Sequence, residues 1–239
     1  DLRGAGVELL AALIVALIAT PIVARVARRL GVVDRPGPLK TQREPVPYLG
    51  GVAVFLAVLV GPIAAHRAEL IVPMAAALAL GVIDDRRALS PRLRLVAEVL
   101  VGVLAAETLP GAAMSRVASA VLVVVLINAV NLLDGQDGLV AGCAACSALA
   151  LALLGGDARP VEAALAGALA GFFVFNRAPA RIYLGDGGAY LVGTVLALGP
   201  ALVVGTIGAG SGPSEMSSWA TWLAMPLIVA LPLGDTAIA

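Results

Sequence analysis

Histidine and cysteine are nearly missing from this sequence. His66 is the single histidine in 239 residues, and Cys143 and Cys146 are the only cysteines. His66 stands beside Arg67 in a short loop and reads as a solvated residue, which leaves none for a His-based metal site or a catalytic triad. The C-x-x-C lies inside an apolar helix, without the strand–turn–helix setting of a redox motif or a second Cys/His pair for zinc. It reads as small residues at a helix contact. Charge is scarce as well, at 13% against about a quarter in soluble domains. Lys+Arg and Asp+Glu both number 16, so no basic excess points to nucleic acid, and none is expected as a partner. No Walker A or kinase motif is found, which argues against an ATP-driven pump. No cleavable signal peptide is recognised.

What fills the sequence is apolar: 60% hydrophobic residues, with a mean hydropathy of +1.00. These residues recur in stretches of about 16–20, the length needed to cross a hydrocarbon core of about 30 Å. Nine such segments are expected, near 5–24, 50–66, 68–83, 92–107, 116–131, 138–155, 160–176, 188–207 and 219–238. The fold class is therefore all-α, a polytopic integral membrane protein forming a single domain over 1–239. Trp219 and Trp222 stand where an aromatic belt is expected. The chain opens at Asp1 without an initiator Met and stops at Ala239 inside an apolar run. A fragment truncated at its C-terminus is the expectation.

Nine spans divide the loop cations into two sets. Arg25, Arg28, Arg29, Arg35, Lys40, Arg43, Arg86, Arg87, Arg92, Arg94, Arg177 and Arg181 make twelve on one side, and Arg3, Arg67, Arg116 and Arg159 make four on the other. The rule that positive loops stay inside puts the first set in the cytoplasm, the N-terminus outside and the chain end inside. Asp34, Asp84, Asp85, Asp134, Asp137, Asp186 and Asp235 then all fall on the cytoplasmic side. Carboxylates at membrane helix ends are costly unless they meet water, a cation or a partner.

Four segments carry the candidate chemistry. Asp34-Arg35-Pro36 through Lys40 to Gly50-Gly51 is an irregular loop in which Lys40 offers a point charge suited to phosphate; alone it also reads as a basic loop that sets topology. Asp84-Asp85 precedes Arg86-Arg87, and Ser90-Pro91 caps the next helix. Two adjacent carboxylates resist joint ionisation without a cation. They suit Mg²⁺ ligation, or a ligand plus a base, unless the arginines merely balance them. Asn128, Asn131 and Asp134 recur at i, i+3 and i+6 along one side of a helix, followed by Gly135, Asp137 and Gly138. This is the most specific pattern in the chain. Asn176, Pro179 and Tyr183 lead to Gly185-Asp186-Gly187-Gly188, where open backbone N–H groups at a helix start are expected to receive a phosphate; otherwise this is a turn and an N-cap. Glu98, about two turns into its helix, faces the bundle interior, either supporting the site or binding Arg94. Together these features suit a Mg²⁺-dependent reaction of phosphate groups at a membrane surface.

The four segments, in order from about Asp34 to Asp235, resemble the polyprenyl-phosphate N-acetylhexosamine-1-phosphate transferases. That family includes bacterial undecaprenyl-phosphate GlcNAc-1-phosphate transferases and phospho-MurNAc-pentapeptide translocases. Asn128 to Leu139 fits the family's N-x-x-N-x-x-D-G-x-D-G-L without a mismatch. The resemblance implies that polyprenyl phosphate and a UDP-amino sugar give polyprenyl-diphosphate-sugar and UMP, with Mg²⁺ (or Mn²⁺) as cofactor, in cell-envelope glycan synthesis at the cytoplasmic membrane. It implies Asp84 and Asp85 as catalytic residues and Asp186 with Asp85 as metal ligands. It assigns Lys40, Asn128, Asn131, Asp134, Asp137 and Asn176 to substrate binding. The Asp34-to-Gly51 segment looks more like the GlcNAc-1-phosphate branch. Three features depart from the family: Gln42 replaces a common histidine, Ala189 replaces a usual serine, and the His-rich loop expected after Asp235 is not in this sequence.

Two rival readings remain. A transporter would place acids near the bilayer midplane, whereas these cluster at one face. A non-catalytic or truncated relative would bind carrier lipid or partner proteins. Helix packing also permits a homodimer, which no motif addresses.

Overall fold

The computed structural model describes residues 2–37, 42 and 44–208. Its helices are α1 (Leu2–Arg29), α2 (Gly50–Val58), α3 (Val60–Ala64), α4 (Ile71–Arg87), α5 (Pro91–Glu107), α6 (Ala113–Leu133), α7 (Leu139–Leu154), α8 (Arg159–Asn176) and α9 (Gly185–Gly208). Each of the eight apolar segments expected before residue 208 coincides with helix. The ninth, with Trp219, Trp222 and Asp235, lies outside the described residues, as does Lys40. The segment at 50–66 is interrupted between α2 and α3. Pro62 has no N–H to give, and its ring crowds the carbonyl four residues back, at Val58, where α2 ends. Strand is confined, among the described residues, to the pair β1 (Val33–Asp34) and β2 (Val46–Pro47), antiparallel with Val33 opposite Pro47.

Two helices, α8 and α9, form the centre of the bundle. Every residue from Val161 to Leu169 of α8 is buried, as is the run from Gly187 to Ala201 of α9. α1 and α7 pack on α8, while α4 and α6 pack on α9, and α5 lies outside against α6 and α4. The α1–α8 contact is backbone on backbone. A Cβ on Gly167 would run into the Leu9 carbonyl, and one on Gly171 would sit 2.7 Å from the Leu13 carbonyl oxygen.

Outward faces are apolar rather than charged. Leu10, Ile14, Ile18, Ile22 and Val26 form an exposed ridge along α1, and Val117, Val121 and Val125 form another on α6. Two stretches, Arg3–Arg29 and Ala113–Leu133, are long and apolar enough to cross a membrane, and Gly50–Ala64 and Leu139–Leu154 are shorter apolar helices. Of the two cysteines, Cys146 turns outward while Cys143 is half-buried, and both are free thiols.

The α1–α8 contact yields a direct test. Gly167→Val should cost about 1–3 kcal/mol through overpacking, read as a lower unfolding temperature in detergent. An unchanged melting point would mean that the two helices are not in backbone contact.

Candidate active site

Helices that alternate in direction bring the C-terminal ends of α4, α6 and α8 to the same end of the bundle as the start of α9. The joints there are made of backbone. Gly50 N–H donates to the Tyr183 carbonyl (3.0 Å), Gly51 N–H to Leu184 (2.9 Å), and Tyr183 N–H to Pro47 (2.8 Å). A Cβ on Gly81 would strike the Asp186 carbonyl, and one on Gly51 would strike Gly188 N. Gly185, at φ +74°, takes a left-handed turn closed to most side chains. The glycines of the first, second and fourth segments therefore let three backbones meet.

A cavity of about 670 Å³ opens at this junction, within the about 300–1,000 Å³ typical of small-molecule sites. Asp85, Asp134 and Asp186 line it together with Asp34, Gln42, Tyr48, Asp137, Asn176 and Tyr183. Asp84, Asn128 and Asn131 do not.

The adjacent aspartates point different ways, because neighbours on an α-helix diverge by about 100°. Asp84 is 3% exposed. It accepts from Tyr190 Oη (2.6 Å) and from Leu89 N–H (2.8 Å), and Arg94 Nε lies 2.7 Å from its Oδ2. Asp85 faces the cavity and caps α9, its two oxygens accepting from the N–H groups of Asp186 (3.1 Å) and Gly187 (3.3 Å). The N–H groups expected to await a phosphate are thus taken by a carboxylate. This is a correction to the sequence reading, and its cause is that an N-terminus pressed against α4 meets the nearest anion.

The asparagine row also disperses. Residues three apart drift by about 60° around a helix, so Asn128 turns toward α5 while Asp134, the last of the series, reaches the cavity. Asn128 donates to Glu98 Oε2 (2.6 Å) and to the Val124 carbonyl (2.9 Å). Glu98 is buried, as its position suggests, but it holds Asn128, and Arg94 belongs to Asp84. Asn176, 5% exposed, accepts from Gly138 N–H (3.2 Å) and donates to the Ile182 carbonyl (3.0 Å). Asp137 accepts from Ala180 N–H (2.9 Å). Gln42 donates to Asp34 (2.6 Å), so the residue in place of the common histidine is engaged at the cavity wall.

The sequence reading missed Tyr190 and the Asp84–Arg94 pair. The Ser90 cap, which accepts from Leu93 N–H, was a usable signal, since it starts α5 beside the aspartates. Glu162 was also missed. It is wholly buried, and neither oxygen finds a hydrogen-bond partner among the described residues.

Three carboxylates sharing one cavity repel. Burial, then the charges of Asp186 and Asp84, push Asp85 up to about 6, despite the N–H groups it accepts. Burial, then Asp186 and Asp85, push Asp134 up to about 7. Asp186 is raised by burial and by Asp84, with Arg94 opposing. All three lie at helix ends, beyond the apolar stretches. Among the described residues no three His, Cys, Asp or Glu converge into a ready metal cage. Mg²⁺ does not require one, since it usually takes one or two carboxylates and fills its shell with water and phosphate oxygens. Hard oxygen donors that repel one another suit the chemistry of that ion, and Asp85 and Asp186 both line the cavity.

A membrane-type helical bundle with an acidic cavity at one end defines a class, and the comparisons place the chain in it. Residues 68–205, more than half of the chain, match glycosyl transferase family 4, and the chain belongs to that family. It is 30% identical over 213 residues, covering 78% of this chain and 60% of the relative, to the "Probable undecaprenyl-phosphate N-acetylglucosaminyl 1-phosphate transferase" of Bacillus subtilis. It is 30% identical over 256 residues, 86% of this chain and 63% of the relative, to the decaprenyl-phosphate N-acetylglucosaminephosphotransferase of Mycobacterium tuberculosis. A phospho-N-acetylmuramoyl-pentapeptide-transferase of Prochlorococcus marinus is 42% identical over 96 residues, 34% of this chain and 26% of the relative. The chain spans about three-fifths of the length of the first two relatives.

The repulsion has a measurable consequence. With its pKa raised above the unfolded value, Asp134 favours folding at low pH and opposes it as pH rises through about 7. Asp134→Asn should therefore raise the unfolding temperature in EDTA, by more at pH 8 than at pH 5. A gain that is equal at both pH values would show that the Asp134 carboxyl is not held above its ordinary range.

Proposed function

We propose that this protein transfers GlcNAc-1-phosphate from UDP-GlcNAc to polyprenyl phosphate, giving polyprenyl-diphosphate-GlcNAc and UMP at the cytoplasmic face of the membrane. One observation carries this reading: in a chain of this family, Asp85, Asp134 and Asp186 line one cavity that has polar and aromatic walls and a size suited to a nucleotide sugar.

An oxygen of the lipid phosphate attacks the sugar-linked β-phosphorus. The new P–O bond forms as the bond from that phosphorus to the bridging oxygen breaks, and UMP leaves with the electron pair. Asp85, the aspartate of the pair that faces the cavity, takes any proton remaining on the lipid phosphate. Asp34, Asp137 and Asn176, with Tyr48 and Tyr183, form the wall against which the nucleotide lies. Tyrosine faces suit base stacking, and polar groups suit the ribose and uracil edges. Mg²⁺, or Mn²⁺, held by Asp85 and Asp186 would offset the diphosphate charge and the charge developing on UMP. Lys40 is assigned to phosphate, as the motif implies. Apolar outer helix faces support a membrane-embedded single domain, and the excess of loop cations supports the orientation.

The test is UMP release from UDP-GlcNAc with undecaprenyl phosphate, on the chain and on a C-terminally extended form. Release that depends on lipid, is abolished by EDTA and restored by Mg²⁺ is expected. Asp85→Asn and Asp186→Asn should each cut it by about 10³-fold or more, the cost of losing a group that acts in the transition state. Release from the extended form alone would show that residues outside 1–239 are needed for the reaction. Silence from both, across a panel of UDP-sugars, would leave a binding relative.

A further inference from the structure

The two aspartates of α4 are chemically identical neighbours with different surroundings. Asp85 faces the cavity. Asp84 faces away from it and is engaged on every side, by Tyr190 Oη at 2.6 Å, Leu89 N–H at 2.8 Å and Arg94 Nε at 2.7 Å. Its side chain is 1% exposed. A nucleophile or base must reach a substrate atom at about 2.6–3.2 Å, and a carboxylate sealed behind a tyrosine, an arginine and a backbone turn has no such path.

Its partners show what it does instead. Tyr190 follows Asp186 by four residues on α9, so the two share a face of that helix. Fixing the Tyr190 hydroxyl fixes the rotation of α9, and with it the aim of Asp186 into the cavity. Arg94 ties the same carboxylate to α5, which bears Glu98 one turn further on, and Glu98 holds Asn128 of α6. The α4–α9 joint is thus gripped twice, by Asp85 at the backbone of the first turn and by Asp84 at a side chain one turn later. Buried polar groups are held this way where geometry must be unique.

We infer that Asp84 is the positioning member of the aspartate pair. Through Tyr190 and Arg94 it sets the rotation of α9 that aims Asp186, and Asp85 alone meets the substrate. This rests on the transferase reading above, and it divides the pair that the motif presents as a unit.

Charge-paired rescue tests it. Asp84→Asn keeps the shape and, with its amide oxygen toward Tyr190, loses the acceptor for Leu89 N–H and strands the Arg94 charge; it should lower kcat by about 10–100-fold. Adding Arg94→Gln removes the stranded charge and should recover about tenfold of that loss, although no carboxylate returns. Asp85→Asn should stay at background with or without Arg94→Gln. Tyr190→Phe should lower kcat by about tenfold and raise the Mg²⁺ needed for half-maximal rate, with KM for UDP-GlcNAc little changed. An Asp84→Asn variant at background that Arg94→Gln does not rescue would overturn the inference, because a reacting carboxylate cannot be replaced from α5. If Asp84→Asn fails to fold, Tyr190→Phe decides, and wild-type kcat and Mg²⁺ demand would overturn it. If the unsubstituted protein releases no UMP, the transferase reading fails separately. Amide hydrogen exchange over 186–190 then decides, since Tyr190→Phe should speed it and unchanged exchange would count against Asp84.

Discussion

The start of α9 is where the structure is decided. The first turn of any helix has N–H groups that no carbonyl within the helix can reach, and here that turn is driven into a bundle of apolar helices. Gly187 and Gly188 of that turn are buried, so its N–H groups need partners from the protein. Asp85 supplies two acceptors to two successive N–H groups, and it does so from α4, so capping one helix also docks two. Most other features of the site follow from this contact. Gly81 leaves α4 bare where Asp186 approaches, Gly185 turns the chain in front of Asp85, and Gly51 admits the next residues of α9 from the other side. A larger side chain at any of them would part the helices and leave Asp85 without its donors.

The same contact explains why acids accumulate where they would otherwise repel. The N-terminal end of a helix carries a partial positive charge, and α9 is the longest helix pointing its N-terminus at the cavity. Its field offsets part of the cost of Asp85 and Asp186, and Arg94 offsets Asp84. Asp134 caps α6 at its C-terminal end, where the helix dipole gives no relief. Burial first, and then Asp186 and Asp85, push its carboxyl up to about 7, against about 6 for Asp85. The cavity therefore concentrates negative charge, and the peptide N–H groups at the start of α9 answer part of it through Asp85.

Much of the fold was legible because lipid-facing and interior helices share one requirement, an apolar run of sufficient length. The eight apolar segments before residue 208 and the Ser90-Pro91 start of α5 come directly from that and from capping chemistry. Within the site, the glycine-rich turns could be read from the string, and the gathering of Asp85, Asp134 and Asp186 at one end followed from the alternation of the spans. Direction was not. Adjacent residues, such as Asp84 and Asp85, and members of a spaced row, such as Asn128 and Asp134, look collinear in a string but diverge on a helix by amounts that change their surroundings. Long-range donors leave no local trace either. Nothing near Tyr190 announces that its hydroxyl serves a carboxylate 106 positions earlier in the chain, and Glu162 reads as an ordinary first-turn acid until its surroundings are known.

A motif's polar residues need not all touch what the protein binds. Asn176 lines the cavity, yet both ends of its amide are committed to backbone, at Gly138 and Ile182. Asp137 spends one oxygen on Ala180 N–H. These side chains satisfy two irregular loops that meet at the rim of an apolar bundle, where unpaired peptide groups are costly and few waters compete. Such a residue is as restricted as a ligand contact, because replacing it frees donors and acceptors in two loops at once. The part of the motif left free to meet a ligand is then smaller than the motif. It comprises the carboxylates whose oxygens still face open space, and the loop ties are there to keep those carboxylates in place.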